Sequence, residues 1–267
     1  MVQISDPHIF APGQLMEGRV DTAEGLRLAV QVAESLEPDL IVMSGDLVND
    51  GEADQYANLR DLLGAVTRPL LLVAGNHDDR DSVRALASSL ETAVEPLTSR
   101  HGELEYDIGG CGPEKNLRII VVDTVREGFH SGLLTDERLR ALDAQLGSEE
   151  PTLIVQHHPP FTSGIDFMDH YGLEGGTSEL DVLARHPEVV AVLTGHLHRH
   201  AVHIRSGLPV VTAPSSAAQV SLDLHGGPTA YTEEPGAILV HRLDGSSLTT
   251  HVQPLRGAST WRPAWAL

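Results

Sequence analysis

The chain has 267 residues, 41% of them hydrophobic, with 18 Lys plus Arg set against 38 Asp plus Glu, a formal net charge of -20. Such acidity opposes binding to duplex nucleic acid or an anionic membrane, although divalent cations can invert the potential inside one pocket. Cys111 is the only cysteine, which excludes an intrachain disulfide and a zinc-finger framework, so a metal site must use His and carboxylates. No apolar run reaches the ~18 to 20 residues of a membrane span. The opening MVQISDPH has neither the basic nor the apolar region of a secretory signal, so a cytoplasmic location is expected.

In chain order, Val2 to Ser5 reads as a short strand ending on Asp6, Pro7 and His8, with Asp6 and His8 on one face by the i, i+2 spacing. Phe10 to Val20 reads as a loop, and Asp21-Thr22 caps a helix from Thr22 to Leu36 that Pro38 stops. Leu40 to Ser44 is a buried strand followed by Gly45 and Asp46, and a helix from Glu52 to Val66 leads to a third strand, Leu70 to Ala74. That strand ends on Gly75, Asn76, His77 and Asp78, and a helix over Asp81 to Leu90 follows. The opening is thus β-α-β-α-β with a parallel sheet, whose carboxyl strand ends are where such sheets bind ligands.

Leu104 to Ile108 and Leu117 to Asp123 read as strands without an intervening helix, joined by a turn at Gly109-Gly110 and Gly112-Pro113, so a second sheet layer is expected. Thr135 to Leu146 is amphipathic, with Leu139, Leu142 and Leu146 on one stripe. Thr152 to Gln156 is a strand ending on His157 and His158, and Val189 to Thr194 is another, ending on Gly195, His196, Leu197 and His198. Between them 161–176 lacks periodicity and suits a cap-like insert. Leu208 to Ala213, Ala237 to Arg242 and Ser247 to Val252 close the chain as strands, around an irregular loop at 215–234. One domain over 1–267 is expected.

Five strand ends therefore offer Asp6 and His8, Asp46, Asn76 and His77, His157 and His158, then His196 and His198. Singly, Asp6 and His8 suit a surface turn and Asp46 a helix cap; jointly they suit a metal centre. Carboxylate, imidazole and amide donors fit two divalent ions such as Mn, Fe, Co or Zn, and are too nitrogen-rich for a dedicated Mg or Ca cage. A lone Asp46 serving both would be the natural bridge. Two cations held ~3.5 to 4 Å apart could generate a hydroxide nucleophile and clamp a phosphoryl group. Alternation turns His158 away from its neighbour, toward a structural role. His170, His200 and His203 suit rim or surface positions, while Met168 and Tyr171 suit core packing and substrate contact equally.

The blocks DPH, GDLVN, GNHD, HHPP and GHLH, in this order, resemble the signature of calcineurin-like metallophosphoesterases over residues 1 to about 200. The resemblance implies a four-layer α/β/β/α sandwich with a small cap formed by loops. It implies Asp6, His8, Asp46 and His198 as ligands of one metal, and Asp46, Asn76, His157 and His196 as ligands of the other. His77 then matches the histidine that contacts the phosphate or protonates the leaving group, and Asp46 and His77 are the residues expected to carry catalysis. DPH, HHPP, GIDFMD and GHLHR look most like bacterial glycerophosphodiesterases and class III cyclic nucleotide phosphodiesterases. A dinuclear phosphodiesterase of small substrates, forming a homo-oligomer, is the expectation. A monoesterase, a nucleotide pyrophosphatase and a non-catalytic scaffold are the alternatives.

Overall fold

The computed structural model describes residues 1–98, 103–111, 117–256 and 262. In chain order its elements begin β1 (Val2–Ile4), α1 (Thr22–Ser35), β2 (Ile41–Ser44), α2 (Ala53–Leu63), β3 (Leu70–Val73) and α3 (Arg80–Ser89). Next come β4 (Leu97–Thr98), β5 (Leu104–Cys111), β6 (Leu117–Val121), β7 (Gly132–Leu133), α4 (Asp136–Gln145), β8 (Thr152–Val155), α5 (Asp166–His170) and β9 (Leu173–Glu174). The chain ends with α6 (Gly176–Leu183), β10 (Val189–Thr194), β11 (Ala201–Arg205), β12 (Leu208–Thr212), β13 (Gln219–Val220), β14 (Tyr231–Thr232), β15 (Ala237–Asp244) and β16 (Ser247–Pro254).

Two large sheets result, one ordered β16-β15-β1-β2-β3 and the other β11-β12-β10-β8-β6-β5-β4. Strands β1, β2 and β3 run parallel in the first, and β6, β8, β10 and β12 in the second. Their continuous apolar sequences are explained by burial on both faces. Side chains alternate across each strand, so Ile41, Met43, Leu70 and Leu72 face one way and pack with Leu26, Ala29 and Val30 of α1 and Leu59 of α2. Val42, Leu71 and Val73 face the other way, into a core shared with Ile119, Val121, Leu153, Val155 and Leu193 of the second sheet. That sheet's opposite face carries Ile120, Ile154, Val192 and Val210 against Leu139 and Leu142 of α4 and Leu180 and Leu183 of α6. The layers are therefore helix, sheet, sheet, helix, as the resemblance implies. Truncating a fully buried residue of the shared core, such as Leu71→Ala, costs about 2–5 kcal/mol.

Helix ends follow local chemistry. The Asp21 carboxylate accepts from the backbone N–H of Glu24 at 2.9 Å and starts α1, and Asp79 does the same for α3 by accepting from Ser82 N at 2.8 Å.

Four readings need correction. Gly109 and Gly110 are within β5, where a register shift between Ile108 and Cys111 gives Gly110 a φ of 70°, so these glycines form a bulge and not a turn; Gly112-Pro113 lies outside the described residues. The segment 161–176 contains α5 and β9, and α6 begins at its last residue, Gly176. The pattern of α6 is obscured by Glu179, a charged residue buried among its apolar neighbours. The stretch 215–234 is not wholly irregular, since β13 and β14 pair Gln219 with Thr232 and Val220 with Tyr231. Finally, Ala201–Arg205 is an unexpected edge strand, β11, paired with β12 across a hairpin at Ser206-Gly207.

Candidate metal centre

All five polar strand ends open on the same edge of the sandwich, and the backbone there is unusual. Asp6, His8, Asp46, His196 and His198 take positive φ values of 48°, 44°, 49°, 68° and 49°. Non-glycine residues in this region cost of order 1 kcal/mol each and persist only where the surroundings impose them. The surroundings do so here: Asp6 N donates to Gly45 O at 3.1 Å, His8 N to Asp46 O at 3.0 Å, and Ser215 Oγ to Asp6 O at 2.8 Å. Gly75 is required for close approach and not for a special φ, because a Cβ there would collide with the backbone nitrogen and carboxylate of Asp46.

Asp6, His8, Asp46 and His198, all buried, bring one ligand atom each within 4.8 Å of one another. His8 Nε2 lies 2.9 Å from His198 Nε2 and 3.5 Å from Asp46 Oδ2, and His198 Nε2 is 3.6 Å from Asp6 Oδ1. Beside them Asn76 Oδ1 is 3.1 Å from both His157 Nε2 and His196 Nδ1, and Asp46 Oδ2 is 3.3 Å from His157 Nε2. Asp46 thus stands between two donor groups. The far nitrogens are committed elsewhere: His157 Nδ1 lies 2.9 Å from Ser44 O and His198 Nδ1 2.9 Å from Ala218 O. With the proton held on Nδ1, each Nε2 lone pair turns inward, the arrangement typical of metal-ligating histidine. His196 Nε2 and His8 Nδ1 are buried without a partner among the described residues. This donor set fits a dinuclear divalent metal centre.

Electrostatics agree with that fit. Burial would raise Asp46, but His157, His77 and His8 hold its carboxyl well below the usual carboxylate range. Burial would lower His157, yet the charges of Asp46 and Asp6 push it up to about 9. The cluster draws in positive charge.

His158 is also near His157 and His196. Its nitrogens are both used, however, with Nδ1 2.8 Å from Thr124 Oγ1 and Nε2 3.0 Å from His130 O. Burial and the neighbouring His157 lower it to about 3, so it is a neutral strut that braces two loops. His77 stands outside both donor groups: its N–H donates to Asp46 Oδ1 at 2.9 Å and its Nδ1 is 2.6 Å from Asn49 O. Asp78 accepts from Leu47, Val48 and Gly75 backbone N–H groups and so ties the GDLVN and GNHD loops together.

A cavity of about 240 Å³ opens over these groups, lined by His8, Asp46, Asn76, His77, His196 and His198 below and by residues of α5, β13, β14 and neighbouring loops above. Among the upper ones, Met168 and Tyr171 both line the cavity, while Met168 also packs with Ile165, Leu197 and Val220. His203 is stacked on Phe161 at 4.8 Å and His200 is held by Thr212 O at 3.0 Å, so neither joins the site. The sequence reading missed His130, whose ring lies 5.2 Å from His77 and 5.4 Å from Tyr171, and whose Nδ1 is 3.3 Å from Asn76 Nδ2. It also missed Tyr231 on the cavity wall. His130 lies in a connection and Tyr231 opens the two-residue strand β14, so no local periodicity marks either.

A family model described as calcineurin-like phosphoesterase matches residues 1–200. The chain is 30% identical over 259 residues to the glycerophosphodiester phosphodiesterase GpdQ of Enterobacter lignolyticus (strain SCF1), covering 96% of this chain and 91% of that one. It is 31% identical over 225 residues to the 3',5'-cyclic adenosine monophosphate phosphodiesterase CpdA of Pseudomonas aeruginosa, covering 82% and 76%. A dimetal phosphatase from Danio rerio superposes with a TM-score of 0.65 at 18% identity over 96% of each chain, a likeness of fold alone. Similarity at this level runs through most of the chain and takes in every strand end that carries the donor groups, and so the chain belongs to the calcineurin-like phosphoesterase family.

Proposed function

We propose that this chain hydrolyses small phosphodiesters, with glycerophosphodiesters and cyclic nucleotides as the substrate classes to which its relatives' names point. Asp6, His8, Asp46 and His198 would hold one divalent ion, and Asp46, Asn76, His157 and His196 the other, drawn from Mn, Fe, Co and Zn. When bound, such a pair polarises phosphoryl oxygens and supplies a nucleophile at neutral pH. The observation that carries the reading is the single buried Asp46 carboxylate within 3.3 to 3.5 Å of an imidazole from each donor group.

The chain's own contribution is positioning and proton transfer. The Asn49 carbonyl anchors His77 by Nδ1, which leaves Nε2 as the nitrogen available to substrate. A proton delivered from Nε2 to the departing oxygen stabilises an alkoxide leaving group. No lysine or arginine lines the cavity among the described residues. A dianionic monoester would gain from such a cation, whereas a monoanionic diester needs none, and this favours diesters. Residues 161–176 and 215–234 form the upper wall in this reading, with Tyr171 and Tyr231 facing the substrate.

The test is to strip the purified chain by chelation, reload it with each ion, and assay bis-p-nitrophenyl phosphate, glycerophosphodiesters, 3',5'-cyclic nucleotides and monoesters. Diesterase activity lost on chelation and restored by a transition ion is expected. Undiminished activity after chelation, or a preference for monoesters, would remove the reading.

A further inference from the structure

Part of the cavity's upper wall is the hairpin of β13 and β14, in which Val220 pairs with Tyr231 and Gln219 with Thr232. A two-stranded hairpin is marginal on its own, so what holds this one in place lies outside it. One anchor is at its start, where Ala217 N and Ala218 N donate to Ser215 Oγ at 2.9 and 3.1 Å and His198 Nδ1 lies 2.9 Å from Ala218 O. Another is Arg199, the residue after His198. Its Nη1 donates to Val220 O at 2.7 Å and to the Glu234 carboxylate at 3.0 Å. One nitrogen therefore holds both the limb that enters the hairpin and the limb that leaves it.

The two contacts differ in weight. The Arg199 side chain is 21% exposed and that of Glu234 53%, so solvent screens the ion pair, whereas a charge-assisted bond to the carbonyl of buried Val220 is the stronger contact. The carboxylate's part is to aim the guanidinium. Val220 also packs with Ile165 and Met168 of α5 and with Leu197. Farther along the hairpin, a Cβ on Gly226 would come within 2.9 Å of the Asp166 carboxylate, so the hairpin's tip lies against the start of α5. Fixing Val220 thus places the hairpin against α5 as well as over the floor. Directly across the hairpin from Val220 stands Tyr231, which lines the cavity with its ring 6.1 Å from that of His198.

We propose that Arg199 is a positioning residue that sets substrate selectivity: by holding Val220 and Glu234 it fixes the hairpin, and with it Tyr231, over the metal edge. This rests on the diesterase reading above. With the departing oxygen assigned to His77, the substituent that stays on phosphorus is the one left to meet the hairpin.

The test compares the native chain with Arg199→Ala, Glu234→Ala and the double variant by two measurements. The first is hydrogen exchange of the full chain as purified, read by mass spectrometry over 217–234. Arg199→Ala should speed exchange there about tenfold to a hundredfold, the scale of one hydrogen bond to a charged group, and leave β1 and β10 unchanged. The second is hydrolysis of bis-p-nitrophenyl phosphate against methyl p-nitrophenyl phosphate, which share a leaving group and differ in the substituent that stays. Arg199→Ala should lower the ratio of the two kcat/KM values about threefold to tenfold, through KM, with kcat within about twofold and metal content unchanged. Glu234→Ala should move both readouts the same way by no more than about threefold, and the double variant should lose no more than Arg199→Ala, because Glu234 acts through Arg199. Should Arg199→Ala fail to fold, Glu234→Ala, at a half-exposed residue, carries both measurements. Unchanged exchange over 217–234, equal losses on the two diesters, or loss of metal would each overturn the proposal. A native chain that hydrolyses neither diester with any ion would instead overturn the diesterase reading, and the exchange measurement would still decide whether Arg199 holds the hairpin.

Discussion

The floor of the cavity and its mouth are built by opposite means. On the floor, Asp6, His8, Asp46, His196 and His198 are buried, carried on strand ends, and held in left-handed backbone by bonds from neighbouring strands. The mouth is made by short elements and loops, where Phe167 of α5 and Tyr231 of β14 are 46% and 48% exposed; the Phe167 ring lies 5.2 Å from that of Tyr171, and the Tyr231 ring 6.1 Å from that of His198 on the floor. A strained, over-determined floor suits chemistry that tolerates little displacement, whereas the mouth, built of short and partly exposed elements, is less constrained.

The strongest way to break this comparison is at Asp46, the group the two donor sets share. Asp46→Ala should remove more bound metal than any other single ligand change. Its rate loss should exceed the ~10² to 10⁴ of losing a general acid. Metal analysis with kinetics checks this, and two tightly held ions in the variant would refute the shared role.

A smaller effect is expected at His77, which touches Asp46 through its backbone but lies outside the donor groups. His77→Ala should keep both ions. It should lose ~10² to 10⁴ in kcat on an alkyl phosphodiester and far less on bis-p-nitrophenyl phosphate, whose leaving group needs no proton. Equal losses on the two substrates would argue for phosphate positioning instead.

At the mouth the effect should be smaller again and of another kind. Tyr171→Ala removes a ring 5.4 Å from His130 and 5.2 Å from Phe167. It should raise KM by about threefold to tenfold, the scale of one aromatic contact, with kcat within about twofold and metal content unchanged. A large fall in kcat would show that mouth and floor are coupled after all.

The last prediction concerns a support beneath the floor and reads stability in place of rate. Glu179 of α6 is fully buried, meets Gln156 Nε2 at 3.0 Å, and is raised to about 7 from its ordinary 4.5, chiefly by burial. A carboxyl whose folded pKa is raised contributes stability that is full below about 4.5 and is lost as pH rises through about 7. The native chain should therefore lose about 3 kcal/mol between pH 5 and pH 8 from this group, and Glu179→Gln should flatten that slope. Denaturant unfolding at the two pH values measures it; identical slopes in the two proteins would rule the assignment out.

The floor was legible because each of its parts is a local statement. An apolar run followed by glycine and a ligand-type residue specifies a buried strand and what stands at its end, whatever the rest of the chain does. Gly75, Asn76 and His77 behave in this way, as do His196 and His198. The parallel order of β1, β2 and β3 and the alternation that splits Leu71 from Leu72 onto different cores follow from the same short patterns. The sequence by itself therefore determined the layers and the residues assembled at their shared edge. Met168 and Tyr171 were already candidates for substrate contact, but only tertiary structure decided the rest of the mouth and the buried supports. His130, Tyr231, Glu179 and Gln3 acquire their surroundings from segments up to 238 residues away in sequence, as in the bond between His241 and Gln3. Hydrogen bonding and burial at such separations depend on how the sheets and loops meet in space, and no spacing along the chain encodes them.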